Sequence, residues 1–328
     1  MMRAVLILAA SLVHAGIAAA QTTSTGSGHA YPSHPIRLVV GFAPGGSTDV
    51  TARIVAERLS SALGQQVIVD NRTGAGGNIG ADIVARANAD GYTVLLATTG
   101  VMAFNDYLYT KLTYDAQKDF APVTQIGSLP LIIVVPVTLP AKSIRELVAL
   151  AKASPGKYSF GSSGVGGATH VTAELFKALA GIDIVHVPYK GSGQMMTDLV
   201  GGQVQIAFDQ ISSSIGFVKT GKLRALGITT AKRSELLPEL PTIAEGGVAG
   251  YEATSWNGLA VRSGTPRAIV DRLQQETRKQ IFDPAVKPKL FELGIEPIGN
   301  TPEQFAALIK SERAKWIPLF RKIGIQPQ

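Results

Sequence analysis

The chain has 328 residues, a formal net charge of +7 at pH 7 and no cysteine. Because cysteine is missing, disulfides, thiolate nucleophiles and cysteine-based zinc sites are excluded. Lysine and arginine are scattered along the chain and aromatic residues make up only 6% of it, so the charge predicts a solvated basic surface and no nucleic-acid binding. The length predicts two domains.

The first twenty residues predict a secretory signal peptide. Arg3 supplies a positive charge, Ala4 to Ile17 form an apolar run, and Ala18-Ala19-Ala20 supply small residues before a cleavage site. The apolar run is shorter than the roughly 20 residues that a membrane span needs. We therefore expect residues 1–20 to be removed on export, and residues 21–34 to form a flexible leader of the mature chain.

The next segment alternates apolar strands with helices, which is typical of parallel βαβ units. A capping cluster, Ser47-Thr48-Asp49, begins the first helix, and Gly64 ends it. The pattern predicts strands at 36–42, 66–69 and 93–97 and a second helix at 81–89.

A second series of strands and helices follows, and the chain then ends in a helical segment. The predicted strands are 131–135, 158–161, 184–187, 204–208 and 223–228, and the predicted helices are 143–153, 170–180, 194–200, 267–282, 285–293 and 302–320. The simplest arrangement returns the last three helices to the first series, so that the chain crosses between two lobes near residues 129–131 and 251–256.

The predicted fold class is therefore α/β, with two α/β lobes joined by a double-crossing hinge. Lobe 1 comprises residues 35–130 plus 255–328, and lobe 2 comprises residues 131–254. Ligands of open α/β sheets bind outside the carboxyl ends of the strands. We therefore expect a ligand cleft between the lobes.

The loop Phe42-Ala43-Pro44-Gly45-Gly46-Ser47 joins a buried strand to a helix. Its glycines let the backbone approach a ligand, and the free N–H groups of the helix start attract an anion. An ordinary tight turn explains the same residues equally well. Gly41 and Gly46 have the spacing of a phosphate-binding loop, but the lysine of that motif is missing, which disfavours a nucleotide.

A second glycine-rich loop, residues 161–169, repeats this chemistry in the second series. Val165 and Thr169 stand where a nucleophile elbow and a dinucleotide fingerprint each require glycine, so neither motif is present. Two such loops facing each other predict a clamp for one carboxylate or for the two ends of a diacid.

Few side chains suggest catalysis or metal binding. His170 stands at a predicted helix start, where it serves either local hydrogen bonding or ligand contact, and His186 lies in an apolar strand. No grouping of ligands completes a metal site, and we predict no cofactor. Asp209 follows a strand at its carboxyl end, where a turn cap and a ligand contact are equally good interpretations.

The ordered motifs resemble those of the Bug family, the substrate-binding proteins of tripartite tricarboxylate transporters. The resemblance spans nearly the whole mature chain. It is carried by Tyr31-Pro32, Pro35-Ile36, 42–46, Val69-Asp70-Asn71-Arg72 with 74–80, Asp90-Gly91-Tyr92-Thr93, 187–193, 221–226, Leu240-Pro241-Thr242 and Gly264-Thr265-Pro266.

The resemblance implies a periplasmic protein with a type II periplasmic binding-protein fold and a ligand carboxylate held by two loops. The ligand-binding positions that it implies, with His170 from the pattern above, are Phe42, Ala43, Pro44, Gly45, Gly46, Ser47, Thr98, Thr99, Ser162, Ser163, Gly164, Gly166, Tyr189 and Asp209. Family ligands include dicarboxylates, tricarboxylates, acidic amino acids and aromatic acids. Gln194-Met195 and Val101 to Phe104 depart from the family pattern, so the ligand cannot be transferred from a relative.

We expect a monomeric receptor for a small carboxylate and no enzyme activity. Its expected partners are the membrane permease subunits of a tripartite tricarboxylate transporter, or a sensor kinase if the protein serves signalling. The alternative from a different class is an exported hydrolase or lyase that uses Asp49, His170 or Asp209.

Overall fold

The computed structural model of the chain describes residues 31–42, 44–45, 47–164, 167–189, 191–322, 324–325 and 327. The predicted signal peptide and most of the predicted leader lie outside these residues. By its internal contacts, Pro32–Gln328 is one compact unit. No helix in the described part of the chain has both the length and the apolar character needed to cross a membrane.

The described strands form one mixed sheet in the order β2-β1-β3-β9-β4-β7-β5-β6, with β8 and β10 also paired to β4. Their bounds are β1 Ile36–Val40, β2 Val67–Asn71, β3 Thr93–Thr98, β4 Phe120–Pro136, β5 Ser159–Ser162, β6 Val185–Pro188, β7 Ile206–Gln210, β8 Leu223–Ile228, β9 Thr254–Arg262 and β10 Glu296–Pro297.

The helices between these strands pack on the faces of the sheet. They are α1 Ser47–Leu63, α2 Asn78–Ala85, α3 Asn105–Leu108, α4 Ile144–Ala153, α5 Ala168–Ala180, α6 Ser192–Val200, α7 Ile211–Lys219, α8 Arg267–Ile281, α9 Lys287–Glu292 and α10 Pro302–Lys322, with a 3-10 turn at Ala75–Gly77 and a π-helical turn at Gly100–Phe104.

The first part of the sheet combines parallel and antiparallel pairing. β1 pairs in parallel with β2 and β3, as expected for βαβ units, because α1 and α2 supply the crossovers. β9 then pairs antiparallel with β3 on one side and with residues 120–130 of β4 on the other. The chain therefore returns to the first series after the second one, as the sequence predicts.

Strand β4 continues into the second part of the sheet. Its residues 131–136 pair antiparallel with β7 and β8, and β5 pairs in parallel with β6 and β7. β4 is 17 residues long and belongs to both parts of the sheet. β9 begins at Thr254, opposite Pro130, so β9 starts at the point where β4 passes from one part of the sheet to the other.

The α/β class is confirmed, and most predicted elements are present within a few residues of their expected bounds. Strand β9, the first half of β4 and helix α7 were not predicted. Ser33 and His34 fall in the predicted leader, yet the Tyr92 side chain accepts a hydrogen bond from the Ser33 N–H at 2.8 Å and stacks on the His34 ring at 3.5 Å. The lobe boundaries stay a prediction.

Candidate functional site

A cavity of about 690 Å³ receives residues from both parts of the sheet. Its described lining contains no lysine, arginine, aspartate or glutamate. The lining residues are Phe42, Ser47, Thr48, Gly76, Thr98, Thr99, Gly100, Phe104, Asn105, Leu108, Tyr109, Leu129, Gly167, Ala168, His170, Gln210, Ser255, Asn257, Gly324 and Ile325.

Two long helices begin at this cavity. Ser47 and Thr48 are the first residues of α1, while Gly167 is the N-cap of α5 and Ala168 its first residue. The first N–H groups of a helix have no partner within the helix, and the helix dipole places partial positive charge there. Two such ends at one cavity therefore favour an anion.

The loop before α1 is held by side chains that lie behind the cavity. The Asn71 Nδ2 donates to the Phe42 carbonyl at 3.0 Å and to Asp49 Oδ1 at 2.9 Å. Asp49 is 2% exposed, and its other oxygen accepts from the Gly45 N–H and from Arg53 Nε, both at 2.9 Å. These bonds fix the backbone on both sides of the predicted cradle.

Asp49 stays ionised because of this arrangement. Burial favours the neutral acid, but the hydrogen bonds from Arg53, the Gly45 N–H and Asn71 outweigh it and hold the pKa of Asp49 below its usual value. The salt bridge with Arg53 offsets the charge. Asp49 is therefore a support of the loop and is not among the described lining residues.

The second loop is tied down in a similar way. The Thr169 hydroxyl accepts from the Ser163 N–H at 2.9 Å and lies 2.9 Å from the Ser163 hydroxyl. The Ser162 hydroxyl lies 2.7 Å from His186 Nε2. Gly164 has φ +153°, a backbone conformation that residues other than glycine rarely adopt. These contacts hold residues 162–164 against Thr169 in the first turn of α5.

A stack of rings supports this loop from below. His170 lies 4.0 Å from His186, which in turn stacks on Phe160 at 4.8 Å. Burial, followed by the charges of His186 and Lys177, lowers the pKa of His170 to about 4. Burial and Lys177 also lower the pKa of His186. The His170 imidazole at the cavity is therefore neutral at neutral pH.

The strand ends add polar groups to the cavity. Ser255 and Asn257 alternate along β9 with Trp256, which is fully buried among core residues of the opposite face. The Thr99 hydroxyl accepts from the Trp256 N–H at 2.9 Å, which fixes the end of β3 against β9. Asn257 is 4% exposed, and its Nδ2 has no hydrogen-bond partner in the part of the chain that the structure describes.

The structure brings one group of the predicted site residues to the cavity lining and leaves another group outside it. Phe42, Ser47, Thr98, Thr99 and His170 line the cavity. Pro44, Gly45, Ser162, Ser163 and Gly164 belong to the two loops but are not among the described lining residues, and Ala43, Gly46 and Gly166 lie outside the described residues.

Tyr189 and Asp209 are also absent from the described lining. The Tyr189 hydroxyl donates to Asp198 at 2.9 Å. The fully buried Asp209 carboxylate accepts from the hydroxyls of three serines, Ser192, Ser213 and Ser214. For Asp209 this favours the turn-cap interpretation, because its oxygens link the starts of α6 and α7.

Several lining residues were missed by the sequence reasoning. Ser255 lies in the predicted crossing at 251–256 and Asn257 follows it; both belong to β9, and their alternation with apolar residues is the available signal. Gln210 precedes α7, which was not predicted. Gly324 and Ile325 lie after the last helix, where no pattern indicated a ligand site.

No group of three or more histidine and acidic side chains within the described ranges could hold a metal ion. The arrangement instead offers helix starts, hydroxyls, amides and a neutral imidazole. Groups of this kind can bind and orient an anion, and the described lining offers no nucleophile paired with a general base.

Comparisons with known proteins agree with this chemistry. The family model described as "Tripartite tricarboxylate transporter family receptor" matches residues 51–325. The protein BugT of Bordetella pertussis is 36% identical over 325 residues, which cover 99% of this chain and 98% of BugT.

Two solved structures extend the comparison to the fold. "R. palustris Rpa4515 with adipate" has a TM-score of 0.76 at 39% identity and covers 91% of this chain and 100% of its own. MatC of Rhodopseudomonas palustris, with bound malate, has a TM-score of 0.70 at 30% identity and covers 88% and 99%.

These findings confirm the predicted type II binding-protein fold and the predicted class of solute-binding receptor, which is not a class of enzymes. The chain therefore belongs to the receptor family of the tripartite tricarboxylate transporters, the TctC or Bug family.

Proposed function

We propose that this receptor is exported to the periplasm, where it captures a small carboxylate in the cavity and delivers it to the permease of a tripartite tricarboxylate-type transporter. The observation that carries the proposal is the convergence of the starts of α1 and α5 on a cavity without charged side chains in its described lining.

The charge distribution explains why a carboxylate suits this cavity. Each helix start contributes about half a positive charge, and two together offset about one carboxylate. A negative side chain would repel the ligand, and Asp49, the acidic residue in the first turn of α1, is paired with Arg53. A nearby lysine or arginine is not needed, because oriented backbone N–H groups supply the donors.

The related structures support the ligand class. Rpa4515 was solved with adipate and MatC with malate, and both are dicarboxylates. We expect the ligand of this chain to be a dicarboxylate, a tricarboxylate, an acidic amino acid or an aromatic acid. The family description supports the transporter as partner.

We also assign residues 35–130 plus 255–328 and residues 131–254 to two lobes that close on the ligand. The lining supports this division, because Ser47 and Thr48 come from the first range and Gly167 and Ala168 from the second. A ligand held by both helix starts joins the two ranges and favours the closed state.

The proposal is tested at the start of α5. Gly167 has φ −72°, and a Cβ there would meet its nearest atom, the Gly164 oxygen, at 3.5 Å, so other residues fit. Both Gly167→Asp and Gly167→Asn supply a good N-cap side chain. Only the aspartate adds negative charge, so we expect it to weaken carboxylate binding at least tenfold relative to the asparagine variant.

Binding is measured by calorimetry after a thermal-shift screen of aliphatic diacids, citrate, aspartate, glutamate, nicotinate and aromatic diacids. The asparagine variant controls for the added side-chain volume. Equal affinities of the two variants would mean that the start of α5 does not bind the anion. Thermal shifts limited to sugars or cations would contradict carboxylate binding altogether.

A further inference from the structure

The C-terminal turn, Gly324 and Ile325, lines the same cavity as the two helix starts. We infer that this turn forms a fixed apolar wall of the ligand site, and that it selects carboxylates with a hydrocarbon body over hydroxylated carboxylates of the same size. The inference rests on the proposed function, since it assigns the ligand class of that site.

The turn is held by the hydrogen bonds that end α10. The Gly324 N–H donates to the Arg321 carbonyl at 3.3 Å, and the Ile325 N–H donates to the Phe320 carbonyl at 3.0 Å. Gly324 has φ +74°. These are the bonds and the left-handed glycine of a Schellman motif, which reverses the chain at a helix end.

A third contact fixes the turn against α3. The Tyr107 hydroxyl donates to the Ile325 carbonyl at 3.2 Å. The Tyr107 ring also lies 5.7 Å from the ring of Phe320, the residue that accepts from the Ile325 N–H. Ile325 therefore has both of its backbone groups bonded, and its position at the cavity does not depend on a ligand.

The wall that Ile325 completes is apolar. Its side chain packs against the core cluster that contains Phe104, Trp316 and Phe320, and Leu108 packs on the same cluster. Phe104, Leu108 and Ile325 all line the cavity. A ligand hydroxyl placed on this wall would lose its water without gaining a partner, whereas a methylene group would gain from burial.

The site is therefore divided by chemistry. Helix starts, hydroxyls and amides offer donors for carboxylate oxygens, and the wall of Phe104, Leu108 and Ile325 offers none from its side chains. Such a division favours a molecule with a carboxylate on a hydrocarbon chain or ring. In a hydrophobic contact of this kind, one methylene or hydroxyl group changes the affinity by about tenfold or more.

The test uses three matched pairs of acids that differ in hydroxyl groups: succinate and tartrate, adipate and galactarate, cyclohexanecarboxylate and quinate. In every pair of which at least one acid binds, we expect the wild-type protein to have the higher affinity for the acid without the added hydroxyl groups. Ile325→Ser should weaken binding of that member about tenfold and leave the hydroxylated member within about threefold, as measured by calorimetry.

A matched pair of glycine variants tests the turn itself. Gly221 ends α7 with φ +68° and with the equivalent bonds, Gly221 N–H to Val218 at 3.0 Å and Lys222 N–H to Phe217 at 3.0 Å. A Cβ on either Gly221 or Gly324 meets no atom of the described residues within 4 Å. Gly324→Val and Gly221→Val therefore strain the backbone alike, but only Gly324→Val should reduce affinity for the hydrocarbon acids.

Three outcomes would overturn the inference. The first is an Ile325→Ser variant that binds the hydrocarbon acids as the wild type does. The second is an equal loss for both members of a pair, which would indicate a general distortion. The third is a wild type that prefers the hydroxylated acids. If none of the six acids binds the wild type, this inference fails, whereas the proposed carboxylate function fails only if every acid of the thermal-shift screen also fails to bind.

Discussion

Several buried or partly buried polar side chains hold the cavity loops in place without being among the described lining residues. Asn71 joins the Phe42 carbonyl to Asp49, and Thr169 accepts from the Ser163 N–H. Each provides a hydrogen-bond partner for a backbone or side-chain group, and a fully buried group without a partner would cost about 1–3 kcal/mol. Asp209 does the same for three serine hydroxyls. The proposed binding at the two helix starts would depend on these residues indirectly, because they fix the backbone N–H groups.

The buried His170, which stacks on His186, predicts that acid destabilises the protein. The folded-state pKa of His170 is about 4, and its unfolded value is about 6.5. A group with a depressed pKa contributes stability above its unfolded pKa and loses it as the pH falls toward the folded pKa. His170 alone therefore predicts a loss of about 2 kcal/mol of unfolding free energy between pH 7.5 and pH 5.

Urea unfolding at pH 7.5, 6 and 5 measures this loss, and His170→Phe is the matched variant. The phenyl ring keeps a flat apolar contact with His186 but does not titrate, so the variant should lose a substantial part of the pH dependence. The groups near His170 are His186, Glu174 at 3.9 Å and Lys177. A wild type whose stability is the same at pH 7.5 and pH 5 would contradict the prediction.

The other titrating groups differ from His170 either in the pH range in which they change the stability or in the sign of that change. Carboxylates with lowered pKa values, such as Asp49 and Asp115, contribute to the unfolding free energy at neutral pH, and this contribution is lost only as the pH falls through and below about 4. Burial raises the pKa of Asp209, so Asp209 acts in the opposite sense and stabilises as the pH falls. The comparison with His170→Phe removes both contributions.

At the scale of elements, the predictable parts are those with one local signal. The apolar run at 36–42 and the cap at Ser47 predict β1 and α1 closely, because strand and helix periodicities are local. Strand β9 could not be predicted in the same way. Its two faces meet different surroundings, a polar cavity at Ser255 and Asn257 and a packed core at Trp256, and only the tertiary structure shows which face is which.

Gly258 shows how tightly β9 packs against α10. A Cβ at Gly258 would lie 2.5 Å from Phe305 Cζ and 2.7 Å from the Thr124 oxygen. Phe305 is fully buried and packs edge-on against Trp256 at 4.9 Å. We expect Gly258→Ala to lower the unfolding free energy by about 3 kcal/mol through overpacking, as measured by urea unfolding.

The control for this prediction is Gly216→Ala in α7. Gly216 is exposed, has no positive φ and has open space at its Cβ, so alanine should stabilise the helix by up to about 1 kcal/mol. If the unfolding free energy decreases for Gly258→Ala and increases for Gly216→Ala, the loss at Gly258 results from packing and not from the change of glycine to alanine itself. A Gly258→Ala variant as stable as the wild type would mean that β9 and α10 are farther apart than described.

At the scale of the whole molecule, part of the site was predictable and part was not. The two glycine-rich loops were found because glycine and capping residues next to strands are local signals. Asn257 and Ile325 were not found, because they are brought to the cavity by the return of the chain through β9 and by the turn after α10. For Asp209 the sequence leaves a turn cap for the following serines and a ligand contact as equally good interpretations, and the hydrogen bonds from Ser213 and Ser214 favour the first.

The last prediction concerns closure of the proposed lobes. β4 passes between the two parts of the sheet at Pro130, and β9 begins opposite it at Thr254, so we expect a small bend of the chain at these two positions to bring the starts of α1 and α5 together. A carboxylate bound as proposed interacts with both helix starts and favours that bend, because it binds the closed state more tightly than the open one.

We expect the radius of gyration to decrease when the acid that binds most tightly in the screen is added at saturation, as measured by small-angle scattering. Gly167→Asp should show no decrease at the same concentration, because it does not retain the acid. An unchanged radius for the saturated wild type would mean that binding needs no bend at β4 and β9, and the hinge assigned near residues 130 and 254 would then be wrong.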